Sequence, residues 1–156
     1  MSVHAWFPSK HDIFVGGGDV PTDRLAVELT GGEGDILDRV KRWANAEGGW
    51  RTEPEDLARL RHRILLADPH LRALQRPRQQ DVEDLIAKAI ADENDLPPDA
   101  IAPKALAAAI VTTLLALQER FAEHGPSDPA DYFGGASQML RAALTALHAR
   151  SDSSAR

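Results

Sequence analysis

Residues 103–123 read PKALAAAIVTTLLALQERFAE, and this stretch decides the fold class. Large apolar side chains recur in it every three or four residues, which is the spacing of one face of an α-helix. Val111 and Leu115 add a second apolar face to the same helix. The part from Ala105 to Leu117 has no charged residue, but it falls short of the roughly 20 apolar residues that span a bilayer. The stretch is therefore predicted to be a helix buried among other helices.

Helical spacing continues on both sides of this stretch. Three further apolar stripes have the same period: Ile36, Val40, Trp43 and Ala44; Leu57, Leu60 and Ile64; and Val82, Leu85, Ile86, Ala89 and Ile90. Thr52 and Glu55 form a capping box before the second stripe. Asp128 and Pro129 mark the start of a last helix that is predicted to run to about His148. No segment alternates apolar and polar residues as a strand does, so the sequence predicts an all-α bundle of about six helices.

The composition argues against several classes of function. The chain has 156 residues, no cysteine and a formal net charge of −6. The lack of cysteine excludes a disulfide framework and agrees with a cytoplasmic location, and secretion is not expected. An excess of acidic residues opposes a surface built to bind nucleic-acid phosphates. The sequence has no signature of a catalytic triad, a phosphate-binding loop or a zinc-protease helix, so we expect neither an enzyme nor a metal or cofactor.

The first residues of the chain carry a short motif. Phe7-Pro8-Ser9-Lys10, within the stretch from Val3 to Ile13, resembles the junction that follows the recognition helix in TetR-family transcriptional regulators. The segments from Arg61 to Leu66 and from Asp68 to Arg72, and the order of the helices after them, resemble the C-terminal regulatory domain of that family. The resemblance covers essentially the whole chain, and it implies a TetR C-terminal-domain-like bundle.

The same resemblance bears on DNA binding, because in this family the helix-turn-helix unit precedes the motif. Residues 1–18 are expected to be the remnant of the DNA-binding domain with a connector, residues 19–148 the ligand-binding and dimerisation domain, and residues 149–156 a disordered tail. The family implies that His4 and Lys10 contact DNA phosphates. Two explanations stay open: the chain is a fragment of a longer regulator or has a misplaced start, or a genuine short form acts without reading DNA.

The implied function is that of a TetR-like regulator of the repressor type. Its helical domain is expected to bind a small apolar effector and to pass that signal to a DNA-binding domain, so DNA is a partner only of a full-length form. Inward residues of the middle helices are the candidates for the effector pocket. They are Trp43, Leu60, Ile64, Ile86, Ile90 and Leu114. No membrane partner is expected.

A homodimer is the predicted assembly, because in the resembling family the last two helices of each subunit form a four-helix interface. The candidate interface residues are the apolar stripes of these two helices. They are Leu106, Ile110, Leu117, Phe121, Phe133, Ala136, Leu140, Leu144 and Leu147. The alternative is a stand-alone dimerising helical module that binds no ligand or antagonises a full-length relative.

Overall fold

A computed structural model describes residues 22–47, 55–124 and 129–154. Its helices are α1 (Thr22–Gly31), α2 (Ile36–Glu47), α3 (Glu55–Ala67), α4 (Pro69–Glu93), α5 (Ile101–His124) and α6 (Pro129–Ser154). No strand occurs in these three ranges. The predicted all-α bundle is therefore confirmed. The motif at residues 7–10 and the cap residue Thr52 lie outside the described residues.

A tight turn sets where α2 begins. Gly34 has a φ of 84°, in the left-handed region that favours glycine, and a side chain there would collide with Asp38. The Oδ1 atom of Asp35 accepts a hydrogen bond from the backbone N–H of Asp38 at 2.9 Å, which caps the first turn of the helix. The turn lets α2 fold back onto α1, and the two helices are in contact.

The long helix α4 starts at a strong cap and contains an internal proline. The side chain of Asp68 accepts hydrogen bonds from the backbone N–H groups of His70 at 2.9 Å and Leu71 at 3.4 Å. Pro77 lies inside the helix, where it has no N–H to donate to the carbonyl of Ala73. Helical pairing nevertheless continues on both sides of Pro77. The stripe from Val82 to Ile90 therefore belongs to a helix that already begins at Pro69.

The core occupies one half of the bundle. Its buried apolar side chains are Leu25, Leu29, Ile36, Leu37, Val40, Val82, Ile86, Ala87, Ile90, Ala107, Ile110, Val111 and Leu140. We call α1, α2, residues 82–93 of α4 and residues 101–111 of α5 the closed half, and α6 lies against it through Leu140. The large residues of the stripes predicted on α2 and on the second part of α4 contribute to this core.

The other half is built from α3, residues 69–81 of α4 and residues 112–124 of α5, and we call it the open half. Helix α3 contacts both α4 and α5. Every side chain that the structure describes in the open half is exposed or only partly buried. The helices of this half therefore touch, and none of their described side chains forms a buried core of its own.

Helix α6 begins at Pro129, as predicted from the sequence. Its end differs from the prediction, because the helix continues to Ser154 instead of ending near His148. Residues 149–154, which the sequence assigned to the tail, contain no glycine or proline that would end a helix.

Candidate functional site

The predicted pocket residues fall into two groups, and the first belongs to the closed half. Ile86 and Ile90 of α4 are fully buried among the core residues. Neighbouring helices cover both side chains in this structure. Trp43 of α2 is partly buried and packs against the same core.

The second group lies in the open half. Leu60 of α3 is 47% exposed and Ile64 of α3 is partly buried, while Leu114 of α5 is partly buried and packs against the core of the closed half. Leu71 and Leu74 of α4 are partly buried as well. Because α3, α4 and α5 contact one another, apolar side chains from three helices border one region without being fully covered. Such a region can bind an apolar molecule.

A set of polar contacts ties α2 to α4. The Arg39 guanidinium forms an ion pair with Glu93 at the end of α4. The Nη1 atom of Arg39 forms this ion pair and also donates a hydrogen bond to the backbone carbonyl of Leu29 at 2.8 Å. One arginine therefore joins α1, α2 and α4 on the side of the closed half.

A buried amide joins α4 to α6. The Nδ2 atom of Asn94 donates to the carbonyl of Ile90 at 2.8 Å, which turns its Oδ1 atom towards His148 Nδ1 at 3.2 Å. Since an amide oxygen only accepts, the tautomer that fits has the proton on Nδ1 of His148. Sequence reasoning did not identify this pair, because the two residues are far apart in the chain.

Ion pairs also join α6 to α2. The Nε atom of Arg141 lies 3.1 Å from Asp35 Oδ2, and its Nη2 atom lies 2.8 Å from Asp38 Oδ1. Partial burial acts to raise the pKa of Asp38, but the charge and hydrogen bond of Arg141, with smaller contributions from Asp35 and Lys41, lower it below its usual value. In the three described ranges, no group of three or more histidine or acidic side chains could hold a metal ion.

The predicted interface residues turn largely towards this chain's own core. Ile110 and Leu140 are buried inside it, where they fill space between helices of one chain. The partly buried members are Leu106, Leu117, Ala136, Leu144 and Leu147. The side chains of Phe121 and Phe133 lie outside the described residues.

Helices α5 and α6 each leave a different apolar face uncovered. The exposed residues at helical spacing are Ile101, Ala105, Thr112 and Ala116 on α5, and Met139, Ala142, Ala143 and Ala146 on α6. Ile101 is 85% exposed and Met139 is 66% exposed. The signal that could have found these faces is the spacing of the alanines, because small side chains allow helices to approach closely.

Helix α5 differs from the other described helices in its combination of length and apolar character. Its stretch Ile101–Arg120 is long and apolar enough to cross a membrane. Of this stretch, 22% is buried within the chain. A core helix passes the same test of length and composition. The buried residues Ala107, Ile110 and Val111 show that one side of α5 has this role.

Comparison with known families covers both halves of the bundle. The family model described as the MftR C-terminal domain, one of the TetR C-terminal domain models, matches residues 39–148. No curated protein matches the chain. The match takes in most of α2, all of α3, α4 and α5, and α6 as far as His148. Because it spans most of the sequence, the chain belongs to the TetR family of transcriptional regulators and carries its C-terminal regulatory domain.

Proposed function

We propose that this chain is the effector-binding and dimerisation part of a TetR-type repressor in the cytoplasm. The observation that supports effector binding is the open half, where apolar side chains of three contacting helices remain only partly buried beside a packed core. Incompletely covered apolar surface of this kind marks a binding region. The effector is a small, mainly apolar molecule, and Leu60, Ile64 and Leu114 are its proposed contacts.

Regulation then follows from differential binding. An effector that prefers one arrangement of the open half shifts the domain towards that arrangement, and the shift changes the DNA affinity of an attached helix-turn-helix unit. Residues 1–18 are proposed to be the end of that unit and its connector.

A thermal-shift screen against apolar and acyl compounds tests effector binding, because a ligand that binds only the folded state raises the Tm. Leu60→Ala and Leu66→Ala are matched variants, since both side chains lie on α3 and are 47% and 49% exposed. We expect Leu60→Ala to reduce the Tm shift of any compound that binds and Leu66→Ala to leave it unchanged. A dimer that no compound stabilises would instead favour the stand-alone module.

The uncovered faces of α5 and α6 support the second part of the proposal. These faces consist mainly of small and apolar residues, and a second copy of the chain can cover them by repeating the same contacts across a two-fold axis. We therefore propose a homodimer through α5 and α6. The proposed contacts are the eight exposed residues named above for these two helices.

Sedimentation velocity at tens of micromolar tests the dimer. Met139→Glu combined with Ala146→Glu should give a monomer, because unpaired charges in an apolar interface cost several kcal/mol. Thr145→Glu is the control, since Thr145 is exposed on the same helix but lies away from this face. A monomeric parent chain, or a double variant that still dimerises, would remove α6 from the interface.

A further inference from the structure

The corner between α3 and α4 is fixed by hydrogen bonds. Asp68 alone connects the two helices. Its backbone N–H donates to the carbonyl of Ile64 at 3.0 Å, and its own carbonyl accepts from the N–H of Arg72 at 3.2 Å. The side chain of Asp68 also caps the first turn of α4, and the proline that follows it restricts its backbone further. Helix α3, Asp68 and residues 69–76 of α4 therefore form one unit, which we call the arm.

The second part of α4 is fixed as well, but to different partners. Val82, Ile86 and Ile90 are buried in the closed half. At the end of the helix, Glu93 forms an ion pair with Arg39 of α2. Because the corner and the second part of α4 are both held, a movement of the arm relative to the closed half has to be taken up between them.

Pro77 lies at this point of the helix. It has no N–H to donate to the carbonyl of Ala73, and its ring crowds that carbonyl. Sharp bends in helices occur mainly at such prolines. Arg72 and Arg76 are exposed one turn apart on the arm, and like charges at this spacing destabilise a helix. The helix is therefore weakest just where the arm meets the closed half.

We propose that Pro77 is a hinge on which the arm swings towards and away from residues 112–124 of α5. These residues form a fixed wall, because α5 has no glycine or proline after Pro103 and its first part is buried in the closed half. Helix α3 contacts α5 in this structure, so a swing of the arm separates the two helices and uncovers Leu60 and Ile64.

The size of the movement follows from the length of the arm. The start of α4 lies eight residues before Pro77, or about 12 Å along the helix. A swing of about 20°, the size of a sharp kink, displaces that point by about 4 Å. The hinge needs no effector, and it extends the proposed function by naming the element that covers and uncovers the proposed effector contacts.

Distances between pairs of spin labels test the hinge, since the chain has no cysteine and each introduced thiol is labelled selectively. Arg63→Cys with Gln118→Cys joins the arm to α5. The matched pair, Asp92→Cys with Lys104→Cys, joins α4 to α5 within the closed half, and all four positions are exposed. Pulsed electron paramagnetic resonance measures both distance distributions, and a large excess of unlabelled chain leaves one labelled copy in most dimers. We expect the arm pair to give a distribution broader by about 4 Å than the closed-half pair.

Pro77→Ala restores the missing donor and should narrow the arm distribution to the width of the closed-half pair, which stays unchanged. Pro98→Ala, outside the helices, should alter neither distribution. If Pro77→Ala fails to fold, the comparison of the two pairs in the chain with Pro77 decides. An arm distribution as narrow as that of the closed half, or one that Pro77→Ala leaves broad, overturns the hinge. Either result leaves the proposed effector binding standing, because no effector is present, whereas a failed thermal-shift screen leaves the hinge standing.

Discussion

The closed and open halves share the helix α4 and differ in what surrounds it. Val82, Ile86 and Ile90 in its second part are buried against α1 and α5, whereas its first part has no fully buried side chain among residues 69–81. Burial of apolar surface is the main source of stability, so the two parts of one helix contribute unequally to it. Regions of low local stability are the ones that can rearrange around a ligand. The closed half therefore contributes more to the stability of the domain, as the proposed ligand response of the open half requires.

Polar contacts also join the helices of the closed half. The ion pairs of Arg39 and Arg141 and the amide of Asn94 all join helices of the closed half to one another or to α6. In the first part of α4, by contrast, Pro77 removes one helical hydrogen bond close to the boundary between the halves. The ion pairs thus stabilise the closed half, whereas Pro77 weakens α4 where the helix passes into the open half.

The largest effect is expected from a cavity in the closed half. Ile90→Ala removes a fully buried side chain and should lower the free energy of unfolding by about 2–5 kcal/mol. Leu60→Ala in the open half should cost much less, because nearly half of that side chain is already exposed. Urea unfolding of both variants measures the difference. Equal losses would mean that the two halves are packed alike.

A smaller change in stability is expected at the boundary between the closed and open halves. Pro77→Ala restores an N–H donor within α4 and should raise stability by up to about 3 kcal/mol, the helix propensity difference between the two residues. Amide exchange should slow mainly in residues 69–81, which form the first part of α4. The control is Pro98→Ala, which lies exposed between α4 and α5 and interrupts no helix. Unchanged exchange in α4 after Pro77→Ala would show that the proline does not weaken it.

The sequence predicted which segments are helical far better than which faces meet. The stripes on α2 and α4 became core because a helix with apolar residues every three or four positions has one side to bury. The same reasoning could not tell burial within a chain from burial between chains, since both need an apolar face. The sequence therefore assigned Ile110 and Leu140 to an interface, and both side chains are buried in the chain's own core.

The sequence also could not predict polar pairs between residues that lie far apart in the chain. Arg141 and Asp38 lie 103 positions apart, and nothing in either local pattern links them. Only the packing of α6 against the closed half brings the two charges together. The same holds for the open half: helical periodicity alone does not reveal that α3 contacts α5.

The smallest change in stability is expected from the ion pair that joins α6 to the closed half. Arg141→Gln should cost less than about 1 kcal/mol near pH 7, because both Arg141 and Asp38 remain well exposed to solvent. The pKa of Asp38 is lowered in the folded chain, so its contribution is fully present above the unfolded pKa of about 3.9 and is lost as the pH falls through the lower, folded value. Urea unfolding of the parent chain and of Arg141→Gln should therefore differ by a constant amount from about pH 7 to about pH 5, and the two stabilities should converge below about pH 4. Arg63→Gln removes a positive charge from the open half and controls for the change in net charge. A difference between parent and Arg141→Gln that persists undiminished in acid would show that Arg141 stabilises the closed half by packing instead of by its charge.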